Sequence, residues 1–104
     1  MEKRIWKGKL FPNKLEAYRE IHDHIWPEML EALEKQGIYN YTIWNHGDEI
    51  IGYYECESFA EAEKIKANLE VCQRWSEAMK DIMVLETDEA TGERTVYEKV
   101  FSFR

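Results

Sequence analysis

Apolar side chains recur at Leu15, Tyr18, Ile21, Ile25, Met29, Leu30 and Leu33, with His22 on the same face. Steps of three and four predict an amphipathic helix over residues 14–36. Pro27 interrupts it, because proline lacks an N–H and its ring clashes with the preceding turn. It also drives Trp26 out of the helical region. The pattern therefore predicts two helices, 14–22 and 27–36, jointed at Asp23–Trp26 and stopped at Gly37. Asn13 is the expected N-cap, with Glu16 completing a capping box.

Elsewhere the period is shorter. Residues 3–10 (KRIWKGKL) alternate loosely and read as a strand. Residues 38–44 (IYNYTIW) and 50–57 (IIGYYECE) are rich in aromatic and β-branched residues, and the NHGDE turn between them predicts a hairpin. Ser58 followed by Glu61 is a second capping box, opening a helix to about Asn68. Val71, Trp75, Met79 and Ile82 predict a helix over 71–83, DEATGER a polar loop, and residues 95–103 (TVYEKVFSF) a last strand. The order β-α-β-β-α-β, its second helix in two parts, is the ferredoxin-like α+β plan: an antiparallel sheet with helices on one face. Trp6, Tyr39, Tyr41, Trp44, Tyr53 and Phe101 make the strands too aromatic for the other face to be left to water. Packing of two such sheets in a homodimer is the expected remedy.

The chain has 104 residues, 44% of them hydrophobic, and a net charge of −7. It is expected to form a single domain, residues 1–104. The acidic balance and the lack of a basic stripe argue against nucleic acid and anionic membranes as partners. No apolar run is long enough for a signal peptide or a membrane span. Cys56 and Cys72 lack metal-like spacing and read as reduced, buried thiols of a cytoplasmic protein.

Candidate chemistry concentrates in YREIHDHIWPEM, residues 18–29. Tyr18, His22 and Trp26 stand four apart. They offer a phenol donor, a proton carrier near neutral pH, and a flat apolar wall. A helix C-terminus favours protonated His22, which suits a general acid. The plainer reading is an aromatic stripe at the core edge with one hydrogen-bonded histidine. The H-D-H run suggests a metal site, but at a helix end His22 and His24 diverge and no third ligand is evident, so no metal is expected. No phosphate-binding loop, dinucleotide fingerprint or serine-hydrolase motif is present. Aromatic walls plus one acid suit a small polyhydroxylated ligand such as a sugar. Anomer interconversion needs only a proton donor and acceptor, without cofactor.

At three runs the chain resembles the L-rhamnose mutarotase family: Y-x-x-x-H-x-x-I-W-P-E (Tyr18 to Glu28), N-Y (Asn40-Tyr41) and V-C-Q-R-W (Val71 to Trp75). A similar E-x-V-F ending lies at Glu98 to Phe101. The resemblance spans nearly the whole chain. It implies a dimeric ferredoxin-like α+β barrel that interconverts the α and β anomers of L-rhamnose without a cofactor. It makes His22 the proton donor and Tyr18, Tyr41 and Trp75 sugar contacts; the spacing of the run adds Trp26 as a further wall. Studied members carry a second Trp after V-C-Q-R-W; here Ser76 stands in its place. That predicts a roomier, more polar pocket for rhamnose or a related 6-deoxy sugar such as L-fucose. Asp23 is read as solvated. Two alternatives share the fold class. A cofactor-free monooxygenase would consume oxygen, and a ligand-binding module would have no turnover.

Overall fold

The structure, a computed structural model, describes residues Met1–Arg104. Strand β1 (Glu2–Leu10) turns Trp6, Gly8 and Leu10 inward and its lysines outward, the alternation of a half-covered sheet. Helices α1 (Leu15–Asp23) and α2 (Pro27–Lys35) follow, broken where expected. Trp26, ahead of the proline, is extended at φ −59°, ψ 132°. Strands β2 (Tyr39–His46) and β3 (Glu49–Cys56) form the hairpin, with Gly47 at its turn in the left-handed region, φ 61°. Ser58 caps α3 (Phe59–Ala67) through the Glu61 N–H, and α4 (Glu70–Met79) packs beside it.

The sheet order is β2-β3-β1-β4, antiparallel throughout, as the ferredoxin-like plan requires. The core lies between the helices and the inner sheet face and includes Trp6, Leu10, Tyr18, Ile50, Tyr54, Phe59 and Met79. A second cluster, Met29, Ala32, Val71 and Cys72, joins α2 to α4. Cys56 and Cys72 are both buried, and burial pushes both thiols up. No helix is long and apolar enough to cross a membrane.

Two expectations need correction. The fourth strand is not residues 95–103; it is β4, Met83–Leu85, paired with Gly8–Leu10. Periodicity cannot separate a short apolar run such as MVL from the end of a helix. Residues 95–103 form no strand in their own chain. The Asn13–Glu16 capping box does not form either. Asn13 adopts φ 63°, and Lys14 precedes the helix without a side-chain cap. One chain by itself makes an open sheet with β2 and β4 as edges.

Candidate active site

The break at Trp26–Pro27 ends α1 so that its last turn overhangs the gap between helices and sheet. There Tyr18, His22, Tyr41, Trp75 and Ser76 line one cavity of about 280 Å³. Of its 22 lining residues 15 are hydrophobic, so the few polar groups fix how a ligand sits.

His22 is half-buried at the end of α1. Its Nδ1 lies 2.8 Å from the main-chain oxygen of Tyr18. A carbonyl only accepts, so Nδ1 carries the hydrogen and Nε2 is the free nitrogen. The ring stacks on Tyr18 at 4.2 Å between centroids and meets the edge of Trp75 at 5.3 Å. Burial lowers the imidazole pKa, outweighing the Tyr18 carbonyl and Asp23, which raise it. The helix end favours the imidazolium, and desolvation works against it. Asp23 is exposed, as expected. His24 is exposed beside Glu20 and does not share the cavity.

Tyr41 reaches the site by a backbone irregularity. Tyr39 pairs with Glu55 and Thr42 with Tyr53, so β2 carries one residue more than β3 over this interval. In a regular strand Tyr41 would share the outer face with Tyr39. The bulge turns it inward, onto Tyr54, with centroids 5.0 Å apart. Asn40 makes the bulge possible. It takes φ 50°, which asparagine tolerates, and its Nδ2 donates to Glu55 Oε1 at 3.0 Å. The N-Y pair thus has a geometric meaning. The Tyr41 hydroxyl accepts from Trp6 Nε1 at 3.0 Å. Burial pushes Tyr41 up to about 12, against the Trp6 hydrogen bond and the Arg94 charge, and burial also raises Tyr18. Both phenols therefore stay protonated as hydrogen-bond donors.

Trp26 does not line the cavity. It packs edge-on against Trp75 at 5.3 Å and reaches the site only through that ring. Arg74 reinforces the pair, bonding Glu28 at 2.7 Å and standing 5.8 Å above Trp26. The separated W-P-E and R-W runs are therefore neighbours in space.

A family model described as L-rhamnose mutarotase matches residues 4–103. The chain belongs to the L-rhamnose mutarotase family. These are isomerases acting on sugar anomers. An L-rhamnose mutarotase of Listeria monocytogenes is 42% identical over 76 residues, 71% of this chain and 72% of that protein. One from Pectobacterium carotovorum is 38% identical over 85 residues, 80% and 81% of the two chains. In fold, the chain is similar to a crystal structure of L-rhamnose mutarotase from Formosa agariphila, at TM-score 0.77, 24% identity and full coverage of both chains. It is also similar to a dimeric ferredoxin-like protein from an uncultured marine organism, at TM-score 0.62, 19% identity and coverage of 98% and 96%.

Family membership leaves the details of this member's site to its own residues. Ser76 is exposed at the rim, where the main cavity meets a shallower cleft between α3 and α4; Lys66 and Lys80 line both. Sequence reasoning did not place Arg94, Tyr54 or Trp6 in the site, although all three line the cavity. Arg94 lies in a polar loop with no motif around it. Trp6 was legible only as one more strand aromatic.

Proposed function

We propose that this protein is a cytoplasmic L-rhamnose mutarotase, with His22 as the proton carrier. The observation that supports it most is the pairing of His22 Nδ1 with the Tyr18 carbonyl, which leaves Nε2 free in a cavity walled by aromatic rings. A neutral Nε2 takes the proton from the anomeric hydroxyl, and the C1–ring oxygen bond breaks. The same nitrogen, now an imidazolium, returns its proton to the ring oxygen. Both oxygens are bonded to C1, so a small shift reaches each. The open-chain aldehyde turns about C1–C2, and reclosure runs the steps in reverse on the other face. His22 is thus donor in one half of the cycle and acceptor in the other, as a reversible reaction requires. A pKa near the working pH serves both halves.

Tyr18 and Tyr41 would donate to sugar hydroxyls, Trp75 would pack on the C–H face of the ring, and Trp26 would hold Trp75 in place. Ser76 opens the rim, so the site would accept L-rhamnose and related 6-deoxy sugars such as L-fucose. No cofactor or metal enters these steps. A homodimer is part of the same reading. Ile5, Trp44 and Ile51 stand exposed on the sheet face away from the helices, and the marine protein of similar fold is described as dimeric.

The test is NMR magnetisation exchange between the α and β anomer signals of L-rhamnose, with L-fucose and D-glucose alongside. Rapid exchange with L-rhamnose, lost in a folded His22→Ala variant, is the expected result. Exchange confined to L-fucose would move the substrate. No exchange with any sugar would remove the reading, and oxygen uptake on an electron-rich aromatic would replace it with the monooxygenase.

A further inference from the structure

The cavity holds positive charge that a neutral sugar does not use. Lys66, Lys80 and Arg94 line it against a single carboxylate, Glu63, although the chain as a whole carries −7. Glu63 is taken by Arg4 at 3.1 Å, and Lys80 by Glu77. Lys66 and Arg94 are in no ion pair. Both of their charged heads lie against the cavity wall. Burial dominates the Tyr41 phenol and the Cys72 thiol, but Arg94 acts on the first and Lys66 on the second. Lys66 is partly buried. An ammonium that loses water without gaining an anion is held at a cost, and an anion delivered by a ligand removes that cost.

Lys66 is also in reach of the reacting centre. The His22 ring meets Trp75 at 5.3 Å, and Ser76 is the next residue of α4. Cys72 lies one turn before Ser76, about 6 Å along the same helix face. Lys66, in the last turn of α3, stands beside Cys72. The small Ser76 side chain leaves this end of the cavity open to the cleft between α3 and α4, and Lys66 lines both spaces. In L-rhamnose the exocyclic carbon is a methyl group, which needs no cation. That carbon is where an anionic group can stand without altering C1 or removing a ring hydroxyl.

We propose that the cavity also takes aldoses bearing a carboxylate or a phosphate on the exocyclic carbon, with Lys66 binding the anionic group at the Ser76 opening. It rests on the mutarotase reading and widens its substrate class. The chemistry at C1 is unchanged, and no bond to the anionic group forms or breaks. The Lys66 Nζ donates to the anion in a charge-assisted hydrogen bond, and Arg94 adds to the positive field that draws it in.

The test is NMR magnetisation exchange on four sugars that differ only at the exocyclic carbon: L-rhamnose, L-mannose, L-mannuronate and L-mannose 6-phosphate, with the uncatalysed exchange subtracted. Catalysed exchange of at least one anion is expected. The readout is the ratio of kcat/KM for that anion to kcat/KM for L-mannose. Lys66→Met, which keeps the stem and loses the charge, should lower this ratio by about tenfold or more, the scale of a lost charged hydrogen bond. Lys66→Arg should restore most of it, and circular dichroism would show that both variants are folded. Exchange of L-mannuronate alone would make a carboxylate the group bound, and of L-mannose 6-phosphate alone a phosphate; either supports the proposal. Exchange of L-rhamnose without either anion would overturn it and leave the mutarotase reading intact. A ratio that Lys66→Met does not change would also overturn it. No exchange with any of the four would overturn both.

Discussion

The Nδ1 of His22 lies 2.8 Å from the main-chain oxygen of Tyr18, one helical turn earlier in the same helix. The relationship is local, yet it fixes which nitrogen faces the cavity. Because burial holds the pKa below the usual value near 6.5, His22 is neutral at pH 7. A histidine Hε1 signal should therefore titrate with a midpoint below 6.5, and the acid limb of the exchange rate should follow it. The stability consequence has the same origin. As pH falls through 6.5 the unfolded chain takes up a proton that the folded chain resists, so stability declines. The loss is complete below the folded pKa. A midpoint above 6.5 would show that the Tyr18 carbonyl, not burial, dominates.

Removing the imidazole should cost activity without costing the fold. His22→Ala is expected to lower the rate by about 10²–10⁴-fold, the usual worth of a positioned proton carrier. His22→Gln, which keeps a donor but cannot carry a proton, should behave alike. Full activity in either folded variant would assign the proton to another group.

Ser76 controls room at the rim. Ser76→Trp should narrow the cavity and shift preference towards L-rhamnose over bulkier sugars, read as a ratio of kcat/KM values. One added apolar contact is worth about 1–3 kcal/mol of discrimination. An unchanged ratio would mean that the bound sugar does not meet this position.

The bulge at Asn40 should be sensitive to backbone chemistry. Asn40→Val places a β-branched residue at φ 50° and removes the bond to Glu55, so a loss of about 1–3 kcal/mol is expected by denaturant unfolding. Activity should fall further than stability, since Tyr41 then faces outward. Asn40→Gly keeps the conformation and should be milder. The Glu55 carboxyl is held below its usual range, chiefly by the Tyr53 hydroxyl and then by Asn40. That stabilisation is present above pH 4.5, the ordinary value, and is lost as pH falls through the folded pKa.

Gly52 is needed for space. A Cβ there would lie 2.1 Å from the Trp6 indole, which crosses it. Gly52→Ala should therefore displace Trp6, destabilise the protein by about 1–3 kcal/mol, and release Tyr41 from its hydrogen bond. Tryptophan fluorescence and unfolding by urea would measure both effects.

The sequence by itself determined the helices, the hairpin and the strand at the N-terminus, because each has a local cause. The i, i+3 and i+4 spacing makes α1 and α2, Pro27 separates them, and Ser58 with Glu61 starts α3. It also carried His22, Tyr18 and Trp75, since their motif runs are contiguous. Tertiary structure decided the rest. The fourth strand is MVL because Gly8 lies opposite Leu85 and leaves room for the Met83 side chain on β1, a contact across some 75 residues of chain. Tyr41 faces the cavity because one extra residue in β2 reverses its side, and alternation along a strand cannot show where the count slips. The His22 pKa is lowered because packing removes the ring from water, which no spacing reveals. The apolar pattern of residues 95–103 is evident in the chain, but a strand is a property of a pair, and no strand within this chain is positioned to pair with it.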